Sequence, residues 1–387
     1  MKFKLDDQIG QKRAFFKGLK GLFVMKVFLI AGARPNFMKI APIYRWALKH
    51  NQVKCKIVHT GQHYDYEMSE AFFKDLEIPK PDFFLSAGSG THAVQTAKIM
   101  VTFEELCQNE KPDLIIVVGD VNSTLACSVV AKKLHIKVAH VEAGLRSFDL
   151  TMPEEINRMV TDAISDYFFV TEESGETNLI REGKSKDRIY FVGNVMIDNL
   201  FYQVEKLNGE MSECFTASKV KKRVGDYAFL TLHRPSNVDT KLAFCEIAEA
   251  LNTIAFKMPI LFPVHPRTKK MMDEFGIDLS NDIFLFSPLS FKESLFLWKD
   301  SKVVLTDSGG LQEETTALGI PCVTIRENTE RPITIKMGSN VLAGTKKESI
   351  LRAFEEALSK PRGQFKVPPK WDGKAAERIW EILLKKA

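Results

Sequence analysis

The chain has 387 residues, 45% of them hydrophobic and 27% charged, which reads as a soluble globular protein long enough for two domains of ordinary size. Its net charge of +5 resembles a nucleic-acid signal, but residues 1–24 alone carry +4 (six Lys/Arg against two Asp), so a broad surface for DNA or RNA is excluded. No apolar run is long enough to span a bilayer, and the six cysteines form neither a close pair nor a zinc-spaced cluster, which fits buried free thiols in a reducing cytoplasm.

Residues 1–24 are basic and interrupted by Phe15, Phe16 and Leu19, so a poor signal peptide and a membrane-surface helix are both open. The preferred expectation is an N-terminal extension ahead of a functional start at Met25, with no stable membrane insertion. From there strands alternate with helical patterns. Lys26–Ala31 predicts a buried strand, Gly32-Ala33-Arg34-Pro35 a turn, and Met38–Leu48 a helix. Cys55–Thr60 reads as a second strand. Helical patterns follow near residues 67–76 and over Val94–Asn109. Leu114–Val118 is a strand, Val121–Leu134 a helix, and Lys137–Val141 and Asp166–Val170 two further strands. Such alternation with continuous apolar strands implies an α/β fold with a parallel sheet covered on both faces.

The pattern breaks over residues 196–225, which are polar and helical. A second series begins at Tyr227–Thr231 and continues through helix Asp239–Lys257 and strands Ile260–Val264 and Ile283–Phe286. Helix Lys292–Lys299, strand Val303–Asp307, another helix and strand Cys322–Ile325 complete it. Residues 361–369 look like a linker, and Gly373–Lys385 a final amphipathic helix. The expected organisation is two doubly wound, Rossmann-like domains facing a cleft. The first covers 25–195 and the second, nucleotide-binding one, 196–370, with a C-terminal helix in 371–387.

Polar residues gather where ligands bind in such sheets, at the carboxyl ends of the strands: Arg34, Asp120, Glu142, His233, His265 and Ser308 each follow a strand. Ser308-Gly309-Gly310 opens a helix and presents backbone N–H groups to an anion, with Asp307 or Ser308 able to cap it; an ordinary strand-to-helix turn is the plainer alternative. Arg34 and Lys39 offer a fork and a point charge for phosphate or carboxylate, against simple surface solvation. Asp120, Glu142 and Glu154 could supply a general acid and base, although acids in a first helical turn, such as Glu154 and Glu155, also serve the helix dipole. Arg158 lies one turn beyond Glu154. His233 and His265 could meet developing negative charge or be satisfied structural residues. No Walker A, Gly-x-Gly-x-x-Gly or Gly-x-Ser-x-Gly sequence occurs.

Taken in order, GARPNFMKIAPI, TGQHYD, VVGDVNSTLA, HVEAGLRSFDLTMPEEINR, VGNVMID, TLHRP, FPVHPRT, LTDSGGLQEE and ENTERP closely resemble the non-hydrolysing UDP-N-acetylglucosamine 2-epimerases over about residues 25–385. The resemblance implies a fold like that of GT-B glycosyltransferases, with the last helix crossing back to the first domain. It implies a cytoplasmic, homodimeric enzyme that interconverts UDP-GlcNAc and UDP-ManNAc for surface polysaccharide precursors, through UDP elimination to a glycal and re-addition. No cofactor or metal is implied; the partner is the UDP-sugar. By motif match, Asp120, Glu142, Glu154 and His233 are catalytic. Arg34, Lys39, Arg158, Ser308, Gly309, Gly310, Glu314 and Arg331 bind substrate, with Glu314 on the ribose hydroxyls. Gln62 and His63 match the region where bacterial members hold a second UDP-GlcNAc, while Asp65 and His92 depart from the Gln and Arg usual there. Asn36 stands where Glu is often seen. A UDP-diacetamido uronic acid, a hydrolysing reaction, or a GT-B glycosyltransferase are the alternative activities.

Overall fold

The computed structural model describes residues 24–62, 73, 76–209, 215–360 and 362–386. The expected extension before Met25, His63 and Asp65, and nearly all of the helical pattern near residues 67–76 lie outside the described residues. Two all-parallel sheets organise the chain. The first is built from β1 (Met25–Ala31), β2 (Val53–His59), β3 (Phe83–Phe84), β4 (Leu114–Val118), β5 (Lys137–Val141), β6 (Tyr167–Val170) and β7 (Ile189–Phe191). Its order is β3-β2-β1-β4-β5-β6-β7. The second contains β8 (Ala228–Thr231), β9 (Ile260–Pro263), β10 (Ile283–Phe286), β11 (Val303–Thr306), β12 (Cys322–Thr324) and β13 (Asn340–Leu342), in the order β10-β9-β8-β11-β12-β13.

Both orders reverse once, where Val27–Leu29 of β1 pairs with Leu114–Ile116 of β4 and Val303–Thr306 of β11 pairs with Ala228–Thr231 of β8. At such a reversal the connections leave toward opposite faces and open a crevice beyond the strand ends. The physical cause is the sequence of the strands: Leu-Ile-Ile-Val-Val of β4 is buried along its whole length, which requires helices on both faces. Helix Arg34–Ala47 covers one face through Phe37, Ile40 and Ile43. Helices His92–Glu110 and Asn122–Lys133 cover the other, through Ile99, Phe103, Ala126 and Val130.

Helix Val195–Gly209 follows the first sheet and the last helix, Ala375–Lys386, returns to it. Ile379, Trp380 and Leu383 enter the core beside β1, and Trp380 Nε1–H donates to the Ile43 carbonyl (2.8 Å). Among the described residues no helix is long and apolar enough to cross a membrane. Cys107, Cys127 and Cys322 are buried free thiols, and Cys55 and Cys245 are partly buried.

Two local expectations change. The first helix begins at Arg34 rather than Met38, because Pro35 falls in its first turn, where a missing N–H is harmless. The helix expected over Asp239–Lys257 is Lys241–Ala255, and a separate short helix, Pro235–Val238, precedes it.

Candidate functional site

The two reversal points supply the two walls of the site. On the first, the β1 turn is fastened to the end of β4 by Asn36. Its Oδ1 accepts from the N–H groups of Gly32 (3.1 Å) and Ala33 (2.9 Å), and its Nδ2 donates to the Val118 carbonyl (3.0 Å). The second link needs an amide, since a carboxylate has no hydrogen to donate there. Lys39, one turn further on, reaches Glu142 at 2.6 Å, and both side chains are largely buried. Glu142 directly follows β5 with φ = 70°, a conformation that a non-glycine side chain seldom adopts.

Asp120, half-buried after β4, pairs with Arg158 Nε at 2.9 Å. Arg158 also pairs with Glu155. Glu155 is buried and accepts from Ser147 and Phe148 N–H groups, which shapes the loop before the helix Pro153–Ile164. Glu154 is exposed in the first turn of that helix.

On the second wall Asp307, fully buried at the end of β11, accepts from the N–H groups of His233 (2.9 Å) and Arg234 (2.8 Å) and from Asn237 Nδ2 (3.2 Å). Its other oxygen lies 2.9 Å from His233 Nδ1. Burial raises the pKa of Asp307, but His233 and these N–H groups outweigh it and hold the carboxyl below its ordinary range. Asp307 therefore organises the neighbouring loop instead of capping its own helix. Ser308 occupies the N-cap of helix Gly309–Leu318 without a side-chain capping bond. A Cβ built on Gly309 meets nothing within 4 Å, so the helix N-terminus faces open space.

The walls meet through charges. Arg331 lies 2.8 Å from Glu313, itself bonded to Asn194 (3.1 Å). Glu313, Glu142, Asp120 and Glu172 together push Arg331 upward against the opposing effect of burial. Burial pushes Glu313 up, opposed by Arg331 and reinforced by Glu142. Burial also pushes Glu314 up, to about 8, and its Oε1 has no hydrogen-bond partner among the described residues. On the second wall the rings of His233 and His265 lie 5.7 Å apart, and the pKa of His265 is lowered by burial first, then by His233, Arg267 and Arg34. Of the sequence-derived residues, Lys39 is joined to Glu142, Asp120 to Arg158, and His233 stands beside His265, while Arg331 is held by Glu313.

Gln62 stands apart from both. Its Oε1 accepts from Ser123 N–H (3.2 Å) and Oγ–H (2.8 Å). Sequence reasoning missed Glu313, Asn194, Glu155 and Asp307 as site-shaping groups. Of these, only Asp307 had a local signal as a site-shaping group, its place at a strand end.

A family model described as UDP-N-acetylglucosamine 2-epimerase matches residues 47–384. A UDP-N-acetylglucosamine 2-epimerase of Methanocaldococcus jannaschii is 42% identical over 367 residues, which cover 93% of this chain and 99% of that one. A UDP-2,3-diacetamido-2,3-dideoxy-D-glucuronate 2-epimerase of Pseudomonas aeruginosa is 38% identical, over 93% of this chain and 100% of that one. The crystal structure of the M. jannaschii UDP-GlcNAc 2-epimerase in complex with UDP-GlcNAc and UDP superposes with a TM-score of 0.83 at 42% identity, covering 93% of this chain and 100% of that one.

Proposed function

The chain belongs to the UDP-N-acetylglucosamine 2-epimerase family, and we propose that it reversibly inverts C2 of UDP-GlcNAc to give UDP-ManNAc. Loss of the C2 hydrogen as a proton, with cleavage of the C1–O bond, expels UDP and leaves a 2-acetamidoglucal. Addition of the UDP oxygen to C1, with protonation of C2 on the opposite face, gives the epimer. The C2 hydrogen is weakly acidic, so C1–O cleavage runs ahead and puts positive charge on the ring, which carboxylates stabilise. We assign Asp120, Glu142, Glu154 and His233 to catalysis. The substrate contacts fall to Arg34, Lys39, Arg158, Ser308, Gly309, Gly310, Glu314 and Arg331.

Two observations support this reading: the ion-paired acids Asp120 and Glu142 at the strand ends of the first sheet, and the helix N-terminus of the second left open by Gly309. Acids suit a sugar cation and N–H donors suit the departing diphosphate. The P. aeruginosa relative brings a second reading, a UDP-diacetamido uronate. Lys39, Arg158 and Arg331 lie 2.6, 2.9 and 2.8 Å from carboxylates of this chain, so their charge is already balanced in part before a sugar carboxylate could arrive.

For the domains, we assign 25–195 with 371–387 to the first and 196–370 to the nucleotide-binding second, supported by the packing of Ile379 and Trp380 beside β1. A homodimer is the expected solution state. Incubation of the protein with UDP-GlcNAc and, separately, with the diacetamido uronate, without any acceptor, tests the reading. Chromatography is expected to resolve a UDP-GlcNAc/UDP-ManNAc mixture in the first. Turnover of the uronate alone contradicts it.

A further inference from the structure

Beneath the acidic wall lies a fully buried ionisable pair, His140 and Asp162, which no step of the proposed reaction uses. His140, on β5, places Nδ1 2.7 Å from Asp162 Oδ1 and Nε2 2.9 Å from the Gly119 carbonyl. Asp162, in the last turn of helix Pro153–Ile164, uses its second oxygen to accept from Gly144 N–H (3.0 Å) and lies 2.7 Å from Arg146. Arg146 in turn holds Glu182 with two bonds of 2.7 Å.

The pair touches every element that carries a catalytic carboxylate. Gly119 immediately precedes Asp120. His140 and Gly144 stand two residues to either side of Glu142. Asp162 lies on the helix whose first turn bears Glu154. The backbone at these places is otherwise hard to hold. Gly119, Glu142 and Gly144 all have positive φ (68°, 70° and 77°), and a side chain on Gly144 would collide with the Gly175 carbonyl.

Stability alone is a poor reason for such a pair, because apolar residues of similar volume commonly serve a core as well or better. Directional bonds from one centre to three loops are what an apolar core cannot supply. We infer that His140 and Asp162 are positioning residues that fix the mutual geometry of Asp120, Glu142 and Glu154. This rests on the catalytic reading of those three acids. The Gly119 carbonyl only accepts, so its bond to His140 requires the ring proton on Nε2, while a single proton lies between Nδ1 and Asp162 Oδ1.

The test has two parts. First, His140→Asn and Asp162→Asn are compared with the unaltered chain under saturating UDP-GlcNAc, with folding checked by near-UV circular dichroism. The expected result is a fall in kcat of at least about tenfold, since small displacements of catalytic groups are costly, with KM and calorimetric UDP affinity within about threefold. Folded variants with unchanged kcat overturn the inference. Second, nitrogen-15 histidine NMR of the unaltered chain is expected to show an exchange-protected Nε2–H on His140, the proton that its bond to the Gly119 carbonyl requires. A His140 that carries no proton on Nε2 overturns the inference even where both variants misfold. An unaltered chain without turnover would instead count against the proposed function, a failure the NMR measurement keeps separate.

Discussion

Glu142 occupies a backbone conformation that costs energy, beside a lysine that is nearly as buried as itself. Such a residue is retained where its carboxylate has to stand in one place. Glu142→Gln keeps the volume and removes the charge. Its expected effect is a loss of kcat of about 100-fold or more, the usual range for a general acid or base, with UDP affinity by calorimetry within about threefold. Normal turnover would remove Glu142 from the proposed chemistry. Glu314 makes a prediction of a different kind. Its folded pKa, pushed up to about 8 by burial, exceeds that of an unfolded carboxyl. The stability it contributes is therefore fully present below the unfolded value of about 4.5 and is lost as pH rises through 8. Glu314→Gln abolishes that loss, so the melting temperature of the ligand-free variant relative to the unaltered chain should climb between pH 5 and pH 8. A difference that stays constant with pH would contradict the account. At this scale the sequence showed which acids follow strands, as for Asp120 and Glu142. It did not separate exposed Glu154 from buried Glu155, because adjacent residues of one type in a first helical turn differ only in what the fold puts beside them.

Elements explain why the anion site is shaped as it is. The end of β11 delivers Asp307 to the loop after β8, and that bond network leaves the helix beginning at Gly309 free of side-chain capping. Since a Cβ on Gly309 meets nothing, Gly309→Ala should leave thermal stability unchanged or slightly raised, because alanine reduces the freedom of the unfolded chain. The same methyl would stand where a diphosphate approaches the N–H groups, so UDP affinity should fall by about tenfold or more, equivalent to about 1.4 kcal/mol. Calorimetry with UDP and a melting curve check the two halves; unchanged affinity would relocate the diphosphate. Central strands were legible because burial on both faces demands unbroken apolar runs, as in Leu114–Val118. β3, β7 and β13, of two or three residues at sheet edges, were not, since so few residues carry no period.

Across the whole molecule the chain closes on itself through one carboxylate. Asp198, on the helix after the first sheet, accepts from the N–H groups of Ala375 (3.1 Å) and Ala376 (2.7 Å) and so caps the returning helix. Trp371 Nε1–H adds a bond to the Thr171 carbonyl (3.2 Å). Asp198→Ala should cost about 1–2 kcal/mol in urea denaturation and expose Lys374 and Arg378 to limited trypsin digestion. Unaltered stability and digestion would show that core packing of Ile379 and Trp380 suffices. The alternation of strands and helices made two doubly wound halves legible. The interlock of Asn194, Glu313 and Arg331 was not, because Asn194 and Glu313 lie 119 positions apart and no local pattern links Glu313 to Arg331.

The central claim is inversion at C2 through a glycal, and proton NMR of the protein with UDP-GlcNAc in D2O tests it most directly. The account predicts UDP-ManNAc carrying deuterium at C2, with deuterium also entering the recovered UDP-GlcNAc. UDP-ManNAc that retains its C2 proton, or free ManNAc and UDP as the products, would contradict it.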